Sequence, residues 1–293
     1  MAAVRIACAQ LAPALGDVDG NRRASLDAIE RAAADGAGLV VLPELCSSGY
    51  VFADRTEAAA AAEPADGPTV TTWAEAAARL GLVVVGGFAE SAGDHLHNSA
   101  ALVDPSGIRA VYRKLHLWDR EKLVFRQGGD PPPVLDTVAG RIGVGVCYDL
   151  MFPEVTRRLA VAGADVLAFP TNSPLLDQAP GPWPMDVVVA AATAYVNRVF
   201  VAVADRCGTE RGVEWVGGSV VAAPSGRLLA GPPGAHAGPV IVAADCRLDE
   251  ARDKRWGALN DVLGDAAAMS WIWSSRRTWL ARRASAVAAH IRD

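Results

Sequence analysis

Apolar positions in this chain switch between two periodicities. Val4–Gln10 reads as a short apolar strand. Across residues 21–34, Leu26, Ile29, Ala33 and further alanines recur at helical spacing behind an Asn21 cap. Gly36 and Gly38 stop that helix, and the run Leu39-Val40-Val41-Leu42 reads as a strand buried on both faces. A helix over residues 69–80 leads through Gly81 into a strand at 82–88. Segments 99–103 and 108–112 flank Asp104-Pro105-Ser106-Gly107, a sequence that closes a hairpin.

The second half repeats the plan. Strand 142–146 is followed by helix 154–162, strand 166–169, helix 185–196 and strand Phe200–Ala204. Segments 219–222 and 240–244 are read as hairpin strands around a Pro-Ser-Gly turn at 224–226. The halves also echo one another locally. Gly-Ala-Gly-Leu-Val-Val-Leu-Pro at 36–43 parallels Gly-Ala-Asp-Val-Leu-Ala-Phe-Pro at 163–170, each after a helix. Two similar sheets in one domain follow. Parallel strands joined by helices bury both sheet faces, so the expected architecture is a layered α/β sandwich. Pro- and Gly-rich connections at 119–133 and 172–185 lie beside strand ends, where sites usually form.

Composition narrows the class. Hydrophobic residues make up 51% of the chain, enough for a large core and too many for a disordered protein. A net charge of -5 without a basic stripe before the C-terminus gives no reason to expect nucleic acid. The five cysteines (8, 46, 147, 207 and 246) form no Cys-x-x-Cys pair, and Cys8, Cys46 and Cys207 lie in or beside apolar runs. Free thiols in a reducing, cytoplasmic compartment are expected. No basic leader with a long apolar core opens the sequence, and no stretch of ~20 apolar residues predicts a spanning helix. The five histidines make no zinc-type spacing, so neither metal nor organic cofactor is expected.

Three segments end a strand-like run with a reactive group. In Leu42-Pro43-Glu44-Leu45 the acid follows a buried strand, where desolvation raises a carboxylate's pKa and makes it a usable general base; a capping or ion-paired Glu fits the same context. In Tyr112-Arg113-Lys114-Leu115-His116-Leu117-Trp118, Lys114 either supplies positive charge to a thiolate and an oxyanion or is an ordinary surface lysine. His116 reads as structural, since Cys147 lacks the context of a papain-like pair. In Gly143-Val144-Gly145-Val146-Cys147-Tyr148-Asp149 the thiol ends a strand before Phe152-Pro153-Glu154 opens a helix. That is a nucleophile elbow in which the Tyr148 N–H can face a carbonyl oxygen, with a buried inert Cys as the alternative. Lys114 and the helix start are the two features that would lower the thiol's pKa.

Taken together and in this order, these segments resemble the nitrilase superfamily of carbon–nitrogen hydrolases over roughly residues 4–250. The resemblance rests on LPEL, YRKLHLW, GVCYDLMFPE at 145–154 and GADVLAFP at 163–170. It implies a four-layer α-β-β-α sandwich with two similar mixed sheets. It also implies a Glu44–Lys114–Cys147 site, and, through the family's Glu-x-x-x-Phe-x-x-Gly pattern, Glu121 as a substrate-positioning carboxylate, with Phe125 and Gly128 matching. Nitrilases proper usually carry Trp-Glu after the cysteine, whereas this chain has Tyr148-Asp149. A small carboxamide is therefore the expected substrate, with an N-carbamoyl amine or amino acid, or less favourably a nitrile, as alternatives. Tyr50, Tyr148, Phe152, Asn172 and Trp183 are the candidate pocket residues; core packing is an equal alternative for each except Asn172, which follows a strand end.

The expected division is a hydrolase domain over 1–250 and a helical tail over 251–293. In place of the family's usual ending the tail carries Trp271, Trp273 and Trp279, with Arg276, Arg277, Arg282 and Arg283 around a helical pattern reaching His290. A basic amphipathic helix can lie on membranes. Docking on the domain or on a partner subunit is the preferred reading here. The resemblance implies a homodimer or a larger homo-oligomer.

Overall fold

The computed structural model describes residues 3–176 and 181–267. Its first half supplies β1 (Val4–Gln10), α1 (Val18–Ala34), β2 (Leu39–Val41), α2 (Arg55–Ala60), α3 (Pro68–Leu80), β3 (Val83–Ala92), β4 (His95–Asp104) and β5 (Gly107–Arg113). Then come α4 (Glu121–Val124), β6 (Val134–Thr137), β7 (Gly140–Val144), α5 (Pro153–Val161), β8 (Val166–Pro170), α6 (Met185–Asn197) and β9 (Phe200–Ala204). The short strands β10 (Thr209–Glu210), β11 (Val213–Glu214), β12 (Val220–Ala222) and β13 (Leu228–Ala230) precede β14 (Val240–Cys246) and α7 (Leu248–Arg252).

Two six-stranded mixed sheets result, ordered β14-β1-β2-β3-β4-β5 and β13-β12-β9-β8-β7-β6, with β10 and β11 as a separate ribbon. The three inner strands β1-β2-β3 run parallel, as do β7-β8-β9. Side chains alternate across each strand and so sort into layers. Ile6, Cys8, Leu39, Val41, Val83 and Val85 meet Ile142, Val144, Val166, Ala168, Phe200 and Ala202 between the sheets. Ala7, Ala9, Val40, Leu42 and Val84 pack against Ile29 and Ala32 of α1 and Trp73 and Ala77 of α3. On the far side Leu167, Phe169, Val201 and Val203 meet α5 and α6 through Leu159, Ala160, Ala190 and Ala194. This is the expected four-layer α-β-β-α sandwich.

The sequence echo is also a backbone echo. Gly36 (φ +84°) and Gly163 (φ +91°) each turn the chain from helix to strand in a region closed to most L-residues. Gly38 N–H then donates to Arg5 C=O at 2.9 Å, and Asp165 N–H to Arg141 C=O at 2.8 Å. Thus β2 and β8 enter the middle of their sheets by the same turn; β8 ends at Pro170, and Pro43 lies two residues past the end of β2.

Two expectations fail. Asn21 is not a helix cap: α1 starts at Val18, and Asp17 accepts the Gly20 N–H at 2.9 Å. Asn21 is instead buried, accepting from Ala14 N–H and donating to the Ala14 and Ser47 carbonyls. The 219–222 and 240–244 segments are not hairpin partners either. The 224–226 turn joins β12 to β13, whereas β14 pairs antiparallel with β1 from Val4↔Cys246 to Gln10↔Val240. Turn chemistry located the bend correctly, but a nearer apolar segment, residues 228–230, takes the partner's place.

A second unit starts at Lys254. Within it an Arg255–Asp261 bridge precedes a helix at Val262–Ala267. Trp271, Trp273 and Trp279, Arg276, Arg277, Arg282 and Arg283, and His290 lie outside the described residues. Among the described residues no helix is long and apolar enough to cross a membrane.

Candidate active site

The site forms where the ends of the inner strands meet the connections that follow them. Just past β2, Glu44 is held by close backbone approach. A Cβ on Gly87 of β3 would lie 2.5 Å from the Glu44 Cα, so only glycine fits there. Gly87 N–H donates to Pro43 C=O at 3.0 Å, and Cys46 N–H donates to Gly87 C=O at 2.8 Å. Lys114 follows β5, and its N–H donates to Asn98 C=O of β4 at 2.9 Å. The Glu-x-x-x-Phe-x-x-Gly pattern acquires a physical meaning here. Glu121 turns inward, Phe125 is buried in a small cluster with Leu45, Phe52 and Leu117, and Gly128 N–H donates to Lys114 C=O at 2.9 Å. A Cβ on Gly128 would sit 2.1 Å from the Arg113 carbonyl oxygen, so a side chain there would displace the lysine's segment.

Glu44 and Lys114 are fully buried and Glu121 nearly so. Lys114 Nζ donates to Glu44 Oε1 at 2.7 Å and to Glu121 Oε1 at 2.8 Å. Asn98 Nδ2 donates to Glu44 Oε1 at 2.7 Å, Tyr50 OH to Glu121 Oε1 at 2.5 Å, and Trp118 N–H to Glu121 Oε2 at 3.1 Å. Glu44 Oε2 is buried with no hydrogen-bond partner among the described residues. One ammonium thus faces two carboxylates. Burial, with Lys114 opposing it, raises the Glu44 carboxyl to about 7. Burial alone would push Lys114 down, yet Glu121 and Glu44 reverse this and hold it charged.

Cys147 is partly exposed and adopts φ +43°, a sharp elbow between β7 and a 3-10 turn at Cys147–Met151. Its Sγ lies 3.7 Å from the Asn172 carbonyl oxygen, which accepts the thiol proton. Asn172 follows β8, and its Nδ2 donates to Glu44 C=O at 2.8 Å. Lys114 pulls the thiol's pKa down, as expected, but the net lowering expected from it and the helix start does not occur. Burial and the Glu44 charge hold the thiol well above its ordinary value, against the opposing pull of Lys114. Two carboxylates already claim the lysine's charge, and the turn at Cys147–Met151 separates the sulfur from α5.

Of the other predicted residues, Tyr148 and Phe152 form an aromatic row next to Cys147. Tyr148 meets Trp118 edge-on at 4.8 Å and Phe152 at 5.1 Å, and Phe152 stacks on His116 at 3.6 Å. Tyr50 joins through Glu121. Trp183, nearly half exposed just before α6, makes no hydrogen bond or ring contact with them among the described residues. His116 is structural, as read: its backbone N–H and Nδ1 both meet Asp149 Oδ1. Sequence reasoning missed Asn98, Trp118 and the anchoring role of Asp149. A signal for Asn98 existed, since His95, His97, Asn98 and Ser99 put four polar groups where a strand should be apolar. No cluster of three or more His, Cys, Asp or Glu among the described residues is arranged to hold a metal.

A four-layer sandwich with a buried Glu–Lys–Glu trio beside a strand-end cysteine defines a class of hydrolytic enzyme. The carbon–nitrogen hydrolase family model matches residues 5–255, and the chain belongs to that family, within the nitrilase superfamily. It is 37% identical over 263 residues to a nitrilase of Pyrococcus abyssi, covering 89% of this chain and 97% of that one. It is 36% identical over 228 residues to an (R)-stereoselective amidase of a Pseudomonas species, covering 77% and 80%. Among solved structures, a mutant amidase from Nesterenkonia sp. AN1 superposes with a TM-score of 0.71 at 27% identity, covering 87% of this chain and 94% of that one. That structure carries the acetamide moiety of fluoroacetamide added covalently at its active-site cysteine.

Proposed function

We propose that this protein hydrolyses the carbon–nitrogen bond of a small linear carboxamide, with Cys147 as nucleophile, Glu44 as general base and Lys114 as oxyanion donor. The observation that carries the reading is Lys114 Nζ, buried at 2.7 and 2.8 Å from two carboxylates and close enough to the Cys147 thiol to act on its titration. In the first step Glu44 takes the thiol proton as sulfur attacks the amide carbon. The oxyanion lies between Lys114 Nζ and the Tyr148 N–H at the start of the turn, where first-turn N–H groups lack intrahelical partners. Protonated Glu44 hands its proton to the departing ammonia, leaving a thioester on Cys147. Glu44 then takes a proton from water as it attacks the thioester and returns that proton to the departing Cys147 sulfur, restoring the thiol and the carboxylate base while the released acid ionises to the carboxylate product. Glu121 fixes the lysine and positions the substrate amide, beside the pocket formed by Tyr50, Tyr148, Phe152 and Asn172.

The neighbouring amidases, and Tyr148-Asp149 in place of Trp-Glu, support amides over nitriles. The test is an ammonia-release panel of small amides, N-carbamoyl amines and nitriles, with Cys147→Ala as control. Amide turnover that vanishes in the variant, with an acyl adduct on Cys147 by intact mass, is expected. Retained turnover, or an adduct on Cys46 or Cys207, rejects the site; carbon dioxide released beside ammonia moves the substrate to the carbamoyl class. A homodimer is part of the same reading, supported by Val188 and Val196, both about two-fifths exposed on α6, and by exposed Val161 on α5. Light scattering of the purified chain at the monomer mass would refute it.

A further inference from the structure

Resting on that reading of Cys147 and Lys114, we infer that Asp149 is the positioning residue that holds the nucleophile's turn and the lysine's strand end in one fixed relationship. Asp149 is fully buried. Its Oδ2 accepts the Val146 N–H at 3.1 Å and the Tyr112 hydroxyl at 2.9 Å. Its Oδ1 accepts the His116 N–H at 3.0 Å and lies 2.7 Å from His116 Nδ1, which donates as the N–H tautomer. Val146 immediately precedes the nucleophile, and Tyr112 and His116 stand two residues to either side of Lys114. One carboxylate therefore ties the backbone beside Cys147 to both flanks of the ammonium.

The chemistry of the partners dictates the residue type. Each carboxylate oxygen faces an obligatory donor, a backbone N–H, so both must be acceptors. Asparagine has one acceptor and one NH2 group, and whichever way it is turned its NH2 opposes a backbone N–H. A carboxyl group, with an acceptor at each oxygen, satisfies the set. No Lys or Arg pairs with Asp149 among the described residues; its partners are the Val146 and His116 N–H groups, the Tyr112 hydroxyl and the His116 ring. The arrangement also reaches the aromatic row, because the His116 ring that Asp149 orients stacks on Phe152 at 3.6 Å and 13°. Tyr148, between the two anchored ends, meets Phe152 edge-on. An elbow at φ +43° is a sparsely populated conformation for a cysteine and persists only where surrounding bonds over-determine it. The Val146 N–H to Asp149 bond closes that elbow across the nucleophile itself.

The test compares Asp149→Asn and Tyr112→Phe with the wild-type enzyme and Cys147→Ala on one amide substrate. It reads kcat and KM separately, together with the rate at which iodoacetamide alkylates Cys147 and the melting temperature. Asp149→Asn is expected to lower kcat and the alkylation rate by on the order of a hundredfold, with KM within about threefold, because a displacement near 1 Å at a reacting atom has that effect. Tyr112→Phe removes one donor to Asp149, together with the acceptor of the Leu115 N–H, and leaves both backbone bonds to Asp149. It should fold and lose a smaller factor of kcat, about two- to fivefold, which keeps the inference testable if Asp149→Asn does not fold. A lowered melting temperature with unchanged kcat and alkylation rate per folded molecule in both variants would make Asp149 a stability residue and overturn the inference. Turnover surviving in Cys147→Ala would instead reject the nucleophile, and the role of Asp149 with it. A dead Cys147→Ala alongside fully active Asp149 and Tyr112 variants would reject only the positioning role.

Discussion

Asn172 donates its side-chain N–H to the backbone carbonyl of Glu44 at 2.8 Å, across 128 positions of sequence. The same residue offers its own carbonyl to the Cys147 thiol. It is thus a bracket between the proposed base and the proposed nucleophile, and its position after β8 mirrors that of Glu44 after β2. Asn172→Ala would leave a buried carbonyl unpaired, at a cost of about 1–3 kcal/mol. Because it also frees the Glu44 segment, kcat should fall by on the order of a hundredfold. Chemical denaturation and steady-state kinetics on one preparation check both numbers. An active, fully stable variant would remove Asn172 from the site.

Charge counting in the trio yields the second prediction. Lys114 contributes one positive charge, and Glu44 and Glu121 two negative ones, all out of water. Burial is the main reason the Glu44 carboxyl rises to about 7, and the second carboxylate, Glu121, adds to the rise. Glu44→Gln removes the surplus negative charge and leaves a neutral Lys114–Glu121 pair. The variant should be inactive yet melt no lower than the wild type at pH 8. Lys114→Met does the opposite, leaving two uncompensated buried carboxylates. It should be both inactive and destabilised by about 3–5 kcal/mol, the usual cost of breaking a buried pair from one side. Calorimetry of the two variants decides: equal destabilisation would contradict the charge count.

The pH dependence follows with its sign fixed. A folded-state pKa near 7 for Glu44 lies above its ordinary value of 4.5, so the folded protein holds this proton through the interval where the unfolded chain has lost it. This group's contribution to stability is therefore fullest below pH 4.5 and declines as pH rises through 7. Activity moves the other way, since a general base works only when ionised. The kcat/KM profile should fall on its acid side with a midpoint near 7, and Glu44→Gln should not restore a limb at another pH. An acid midpoint near 4.5 would mean that the carboxyl is not desolvated in the free enzyme.

How much of this was legible in the sequence depends on the range of the interaction concerned. Strand alternation fixed the layers, because Ile6 and Cys8 against Ala7 and Ala9 is a local pattern with a global consequence. The echo at Gly36 and Gly163 announced two sheets entered by one kind of turn. Failures came where partners are remote. Asn21 looked like a cap because a cap is the commonest use of Asn before a helix, and nothing nearby revealed Ser47 as its acceptor. The pairing of β14 with β1 joins the two ends of the domain and leaves no local trace. In the site, the Glu, Lys and Cys could be found from motifs, but the sign of the Cys147 shift could not. It depends on how many carboxylates share one lysine, a number only the assembled fold supplies. Asp149 is a similar case, defined by bonds to groups brought together from separate segments.

The last prediction concerns a position with no side chain at all. Gly87 lies on β3, and a methyl group there would meet the Glu44 Cα at 2.5 Å, Leu45 N at 2.7 Å and the Pro43 carbonyl oxygen at 2.8 Å. All three are backbone atoms, so no rotamer change can relieve the contact. The hydrogen bonds on either side, Gly87 N–H to Pro43 C=O and Cys46 N–H to Gly87 C=O, hold the two segments at this spacing. Gly87→Ala must therefore push the Glu44 segment away from the sheet or bend β3. Overpacking of this kind costs about 1–3 kcal/mol, and Glu44 would retreat from Lys114 and Cys147 together. Gly86→Ala is the internal comparison, because its Cβ would meet the ring of Trp73 at 2.7 Å on the helix-facing side of the same strand. Both variants should lose stability, but only Gly87→Ala should lose kcat out of proportion to the folded fraction. If the two lose activity equally per folded molecule, the close approach at Gly87 serves packing and does not place the base.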